Sequence, residues 1–206
     1  MLLAIDTSAG TSVAVVDREG GILSEVAVAD TMRHAEVIGA LIQQALAQAD
    51  VPPTALSGVV AGMGPGPFTG LRVGIAAARM FAYAIARPLV PVVSHDALAY
   101  AHYGEGAYGP LLVVTDARRR EVYWSFYGGP DDVGLPERLD GPGLARPDTV
   151  PHADVPRLDA AEVSAGALGM VAEIAFAAGR PFAADEPLYL RSPDVTPSSA
   201  PKRVTA

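Results

Sequence analysis

Between Leu71 and Ala86 the chain reads LRVGIAAARMFAYAIA, a run in which only Arg72 and Arg79 carry charge. Its length and spacing predict one helix, and a helix apolar nearly all round must be buried on more than one side. Gly74, Ala77, Ala78 and Ala82 are small enough to let another helix approach closely. In a chain of 206 residues one sheet face covers one side of such a helix. A second cover is therefore required: the helix that precedes it, another subunit, or both.

The helix is entered through GMGPGPFTGLRVG, Gly62–Gly74. Glycine-dense turns from strand to helix often hold phosphate, but this one meets neither of the common phosphate-loop patterns. The P-loop needs a lysine after its last glycine, and here Gly70 is followed by Leu71 and Arg72. Gly64, Gly66 and Gly70 miss the dinucleotide spacing by one residue. What remains is a structural turn built on Gly64, Pro65, Gly66, Thr69 and Gly70. Proline fixes φ, glycine permits positive φ, and Thr69 is placed to cap the helix. A free helix N-terminus also suits an anion, so that alternative stays open.

Around this turn the pattern is regular. Leu2–Thr7, Thr11–Asp17 and Ile22–Val28 read as an antiparallel meander, and Arg33–Ala49 as an amphipathic helix stopped by Asp50 and Pro52-Pro53. Ser57–Met63 and Leu89–Ser94 are short buried-type strands, the second leading into a helix at His95–His102. A meander followed by strand–helix alternation predicts an α/β mixed sheet of the ribonuclease-H-like or actin-like kind. GEGAYG at Gly104 reads as a lobe boundary, which gives an N-terminal lobe 1–103 and a smaller C-terminal lobe 104–190. In the second lobe PLLVVTDAR and REVYWSFYGG form a hairpin turning near Arg118–Arg119, Gly129–Pro156 reads as long loop, and Ala167–Ala178 as helix. Residues 191–206 read as a flexible tail.

Composition narrows the function classes. A formal net charge of −8 argues against unaided binding of nucleic acid, since neutralising phosphate needs a basic field. Without cysteine there is no disulfide, thiolate metal site or cysteine nucleophile. No apolar run reaches membrane-spanning length, and MLLAIDTSAG lacks the basic start of a signal peptide, so a soluble cytoplasmic protein is expected. No G-x-S-x-G elbow is present.

GPGPFTGLRVG resembles the hallmark turn of TsaB (YeaZ) proteins, with Pro67 where the family usually has Ser. LLAIDTSAGTSVAVVD, RHAEVI, TDARRREVYWSFY and PLYLR resemble its other segments in order and spacing, so the resemblance runs from about Leu2 to Arg191. It implies the actin-like, Hsp70-like two-lobe ATPase fold, with mixed sheets and flanking helices. It also implies a non-catalytic subunit that pairs with a TsaD-like catalytic subunit and a TsaE-like ATPase. Together these make N6-threonylcarbamoyladenosine beside the tRNA anticodon. The chain alone is expected to form homodimers through the same helices, to meet tRNA only through the complex, and to contact no membrane.

The resemblance assigns the partner surface to Ile38, Leu41, Ile42 and Ala45 on one helix and Arg72, Ile75, Ala78, Arg79 and Ala82 on the next. No catalytic residue and no metal site is expected. The catalytic paralogue holds its metal with His-x-x-x-His, whereas here His95 is followed by Ala99 at the second position, and His102 is two turns away. Asp6, Gly10, Thr11 and Ser12 offer the atoms with which actin-like kinases hold phosphate, and equally those of a hydrogen-bonded turn. No cofactor is required on this reading, with ATP or ADP held at most weakly in the inter-lobe cleft of the complex. SAGALGM (Ser164–Met170) is the only candidate for a second, adenosine-binding turn. Arg118, Arg119 and Arg120 form the one basic cluster, a solvated hairpin tip or a tRNA contact, with Asp116 and Glu121 diluting its field. The rival readings are an independent phosphotransferase using Asp6 and the Gly10–Ser12 turn, and a self-contained homodimeric binding module.

Overall fold

The computed structural model describes residues 1–30 and 32–191. Strands β1 (Leu2–Asp6), β2 (Thr11–Asp17) and β3 (Gly21–Val28) form the expected meander, and α1 (His34–Ala49) follows. Then come β4 (Gly58–Gly62), α2 (Phe68–Ala84), β5 (Leu89–Val92) and α3 (Ser94–Gly104). The strand order is β3-β2-β1-β4-β5, with β1 parallel to β4 and β4 parallel to β5. This mixed sheet is the actin-like, ribonuclease-H-like core.

Its central strands are apolar on both faces because both faces are covered. With side chains alternating along each strand, Leu3, Ile5, Val13 and Val15 pack under α1 and α2. Leu2, Ala4, Ala14 and Val16 pack against α3 and a last helix, α4 (Ala165–Ala177). Ser164 caps α4, its hydroxyl accepting from the Ala167 N–H at 2.9 Å. SAGALGM is therefore the start of a buried helix and not a nucleotide turn.

A second sheet, ordered β8-β7-β6-β9, is built from β6 (Leu111–Asp116), β7 (Val122–Pro130), β8 (Pro136–Ala145) and β9 (Arg157–Ala160). The Gly129–Pro156 segment, expected as loop, contains β8, and β9 follows it directly. An edge strand tolerates proline and glycine because one side of its backbone pairs with nothing. Gly143 is needed there, since a Cβ would lie 2.5 Å from atoms of the Trp124 indole.

The division into 1–103 and 104–190 also needs correction. Helix α4 packs on β1 and β2 of the first sheet, Gly169 lying against Val16. The segment after α4 returns there too, with Ala183 N–H bonded to Pro91 O and Leu188 N–H to Met63 O. The second sheet is thus an insertion whose flanking chain completes the first lobe. Of the expected tail 191–206, all but Arg191 lies outside the described residues.

Candidate functional site

The glycine turn connects β4 to α2 as an elbow. Helix α2 begins at Phe68 with Pro67 in the capping position, so Thr69 lies in the first turn, exposed, and does not cap. The glycines let the elbow close on the β1–β2 turn. A Cβ at Gly66 would come within 2.7 Å of Ser8 Cα, and one at Gly70 within 2.8 Å of Thr7 O. A Cβ at Gly62 would overlap the Asp6 carboxylate, and one at Gly74 the Thr7 hydroxyl. The Thr7 hydroxyl donates to Gly70 O at 2.8 Å, and only Gly64, with φ +92°, uses the left-handed region.

That closure occupies the atoms expected to hold phosphate. Asp6 is buried; Oδ1 accepts from Ser8 N–H (2.8 Å) and the Ser8 hydroxyl (2.5 Å), and Oδ2 from the Ser94 hydroxyl (2.5 Å). Burial raises its carboxyl above the ordinary range, with the serine bonds opposing that shift. Thr11 Oγ1 bonds His34 Nδ1 at 2.7 Å. Ser12 Oγ donates to Glu25 Oε1 at 2.9 Å and accepts from Ala165 N–H at 3.1 Å. Gly10, at φ +84°, sits against Val28 O. Asp6, Gly10, Thr11 and Ser12 therefore form the inner seam between turn, sheet and α4, the arrangement of the hydrogen-bonded turn that was one of their two readings.

The helix pair requires a second correction. Ile38, Leu41, Ile42 and Ala45 of α1, and Ile75, Ala78 and Ala82 of α2, belong to the core beneath the sheet, with Ala78 fully enclosed. They are the cover that α1 and α2 give the sheet, so they are not a surface for a partner. Arg72 and Arg79 do point outward, but onto the returning chain. Arg72 stacks over Phe68, 3.8 Å from the ring centroid, and donates to Tyr189 Oη; Arg79 pairs with Asp185 at 2.7 Å. The apolar part of the outer face of α2 consists instead of Ala76, Met80 and Tyr83, at helical spacing, with Val73 half-buried at its border. Met80 is 64% exposed and Tyr83 82% exposed. Helix α1 exposes Ala35, Gly39, Ala40 and Ala47 together with Glu36, Gln43, Gln44 and Gln48.

His95 lies at the junction of the two sheets, fully buried, with Nδ1 2.8 Å from Ser125 Oγ and Nε2 2.9 Å from Thr115 Oγ1. Burial, aided by the nearby Arg138 charge, pushes its pKa down to about 3. It is a neutral connector, and among the described residues no group of three His, Asp or Glu side chains is placed to hold a metal. Next to it Asp96 accepts from Tyr127 Oη (2.8 Å) and Arg138 Nε (3.0 Å).

The β6–β7 hairpin turns through Arg118, Arg119 and Arg120, all left-handed with φ of 62°, 52° and 64°. Arg118 N–H donates to Asp116 Oδ1 at 2.9 Å, and Arg191 braces the turn by donating to Ala117 O at 3.0 Å. Tyr189 and Arg191 were legible only as the closing PLYLR motif. Their contacts explain it: the tyrosine holds the elbow and the arginine holds the hairpin. A cleft of about 590 Å³ opens between elbow and hairpin, floored by Pro67, Phe68 and Tyr123.

A family model described as TsaD, tRNA N6-adenosine threonylcarbamoyltransferase, matches residues 5–136. An uncharacterized protein of Mycobacterium tuberculosis is 39% identical over 205 residues, covering 95% of this chain and 94% of its own length. The tRNA threonylcarbamoyladenosine biosynthesis protein TsaB of Bacillus subtilis is 32% identical over 127 residues, covering 61% of this chain and 54% of its own. Among solved structures, YeaZ from Pseudomonas aeruginosa superposes with a TM-score of 0.75 at 27% identity, covering 92% of this chain and 99% of that one.

Proposed function

Because this chain belongs to the TsaB (YeaZ) family, within the reach of the TsaD family model, we propose that it is a non-catalytic subunit that docks a TsaD-like catalytic subunit through the outer face of α1 and α2. Family membership supports a role in threonylcarbamoyladenosine modification of tRNA. The observation that carries the docking reading is the exposed Met80 and Tyr83 on a helix whose inner face is already fully used. Large apolar side chains exposed one helical turn apart suit a helix-on-helix interface. Such an interface buries about 1,200–2,000 Å² in total. In the absence of the catalytic subunit the same face would join two copies of the chain, and a TsaE-like ATPase would join the pair.

Non-catalysis is supported by the occupied Asp6 carboxylate and the sealed imidazole of His95. The reading requires no cofactor of this chain, and any ATP or ADP would sit weakly in the inter-lobe cleft of the complex. The test is co-elution of the purified chain with a TsaD-like subunit. Tyr83→Asp combined with Met80→Glu should abolish pairing and leave the thermal unfolding of the chain within a few degrees of wild type. Unaltered co-elution of that variant overturns the docking surface.

A further inference from the structure

Five of the fifteen Lys and Arg side chains of this acidic protein come together on one edge. Arg118, Arg119 and Arg191 line the cleft between elbow and hairpin, and among the described residues no carboxylate lines it with them. Arg119 and Arg191 are shared with an adjoining cleft of about 560 Å³, which adds Arg120 and Arg146. Only there do acids enter, Glu121 and Asp148. Arg146 lies just past β8 and Arg191 at the end of the returning chain, so the sequence cluster of three becomes a strip of five only through the fold.

The hairpin has a second unusual property. Three consecutive residues with side chains stand in the left-handed region, each at a cost of roughly 1–2 kcal/mol. Asp116, Glu121 and Arg191 hold that geometry through the Arg118 N–H, the Ala117 carbonyl and an Arg191–Glu121 ion pair at 3.4 Å. The result fans the arginines toward both clefts in place of a simple two-residue turn. The guanidinium groups of Arg120 and Arg146 make no hydrogen bond or ion pair among the described residues.

We propose that this arginine strip is a docking track for the phosphate backbone of RNA. The identity of that RNA as the tRNA of the modification reaction rests on the function proposed above. A single nucleotide would use one closed pocket, whereas two adjoining open clefts sharing two arginines suit successive phosphates along a strand. Acidic surface elsewhere confines a polyanion to this edge and makes the contact electrostatic, weak alone and steeply dependent on salt.

The test is fluorescence anisotropy of a labelled tRNA anticodon stem-loop with the full-length chain, from about 50 to about 200 mM salt. Wild type should bind with a dissociation constant of roughly 10⁻⁴–10⁻⁶ M and lose affinity steeply with salt. Arg119→Gln combined with Arg146→Gln should weaken binding roughly tenfold at the low-salt end and reduce the log–log slope by about 0.7–0.9 for each arginine. Thermal unfolding and co-elution with the catalytic subunit should be unchanged in this variant, because neither residue lies on α1 or α2. Equal slopes for wild type and variant, no binding by wild type, or displacement of the stem-loop by millimolar ATP would each overturn the proposal. All three would leave the docking face of α2 standing, whereas failed co-elution of the wild-type chain would count against that face alone.

Discussion

Gly74 and Gly39 both sit inside helices and behave oppositely. Gly74 faces the Thr7 hydroxyl with no room for a Cβ, while nothing lies within 4 Å of one at Gly39. Gly74→Ala should destabilise the chain by about 1–3 kcal/mol through overpacking, and Gly39→Ala should stabilise it by about 0.5–1 kcal/mol through helix propensity. Denaturant titration separates the two, and equal shifts would contradict the packing described for the elbow. His95 makes a prediction in pH. Its folded pKa lies below the unfolded value, so the unfolded chain binds the extra proton first as pH falls. The neutral imidazole's stability is fully present above about pH 6.5 and is lost from there down toward about pH 3, at up to about 1.4 kcal/mol per pH unit. His95→Gln should be less stable near neutrality and show a flatter stability profile between about pH 6.5 and about pH 5. A parallel profile would show that the imidazole takes up its proton in the folded chain as readily as in the unfolded one.

At the scale of elements, apolar periodicity made α1 and α2 readable but could not say which of two apolar faces looks inward. On α2 both faces are apolar, and the residues assigned outward from the sequence, Ile75, Ala78 and Ala82, are the ones the sheet covers. Met80 and Tyr83 stay outside, while the face turned to Thr7 and the sheet carries Gly70, Leu71, Gly74, Ile75, Ala78 and Ala82. Ala78→Glu is therefore expected to unfold the chain by burying an unpaired charge, with a loss above about 3 kcal/mol, where a surface change would only uncouple a partner. Circular dichroism of that variant distinguishes the two. The elbow was legible as a turn, since its glycines and prolines speak locally. Its target, the Asp6–Ser8 turn some sixty residues away, was not. Strand β8 was hidden for another reason: an edge strand rich in proline and glycine carries no alternation for a sequence to display, and β9, at four residues, is too short to show a pattern.

Across the whole molecule, the second sheet is held to the first by a shared apolar core and by polar ties that include His95 to Ser125 and Thr115, Asp96 to Tyr127 and Arg138, Tyr123 Oη to Gly66 O, and Arg191 to the hairpin. They fix the elbow, the hairpin and the returning chain relative to α2, so that the outer face of α1 and α2 and the arginine strip have fixed relative positions. In the function proposed above, the apolar face would hold the catalytic partner and the basic edge the RNA. The central claim is that the chain contributes by docking and not by chemistry. Its most direct measurement is threonylcarbamoyladenosine formation on tRNA by purified TsaD-like and TsaE-like proteins, supplied with ATP and threonylcarbamoyl-adenylate, with and without this chain. Modification should require the chain, survive Asp6→Asn in any variant that still folds, and fail with Tyr83→Asp plus Met80→Glu. Equal modification in the chain's absence, or activity that the docking variant retains, would contradict it.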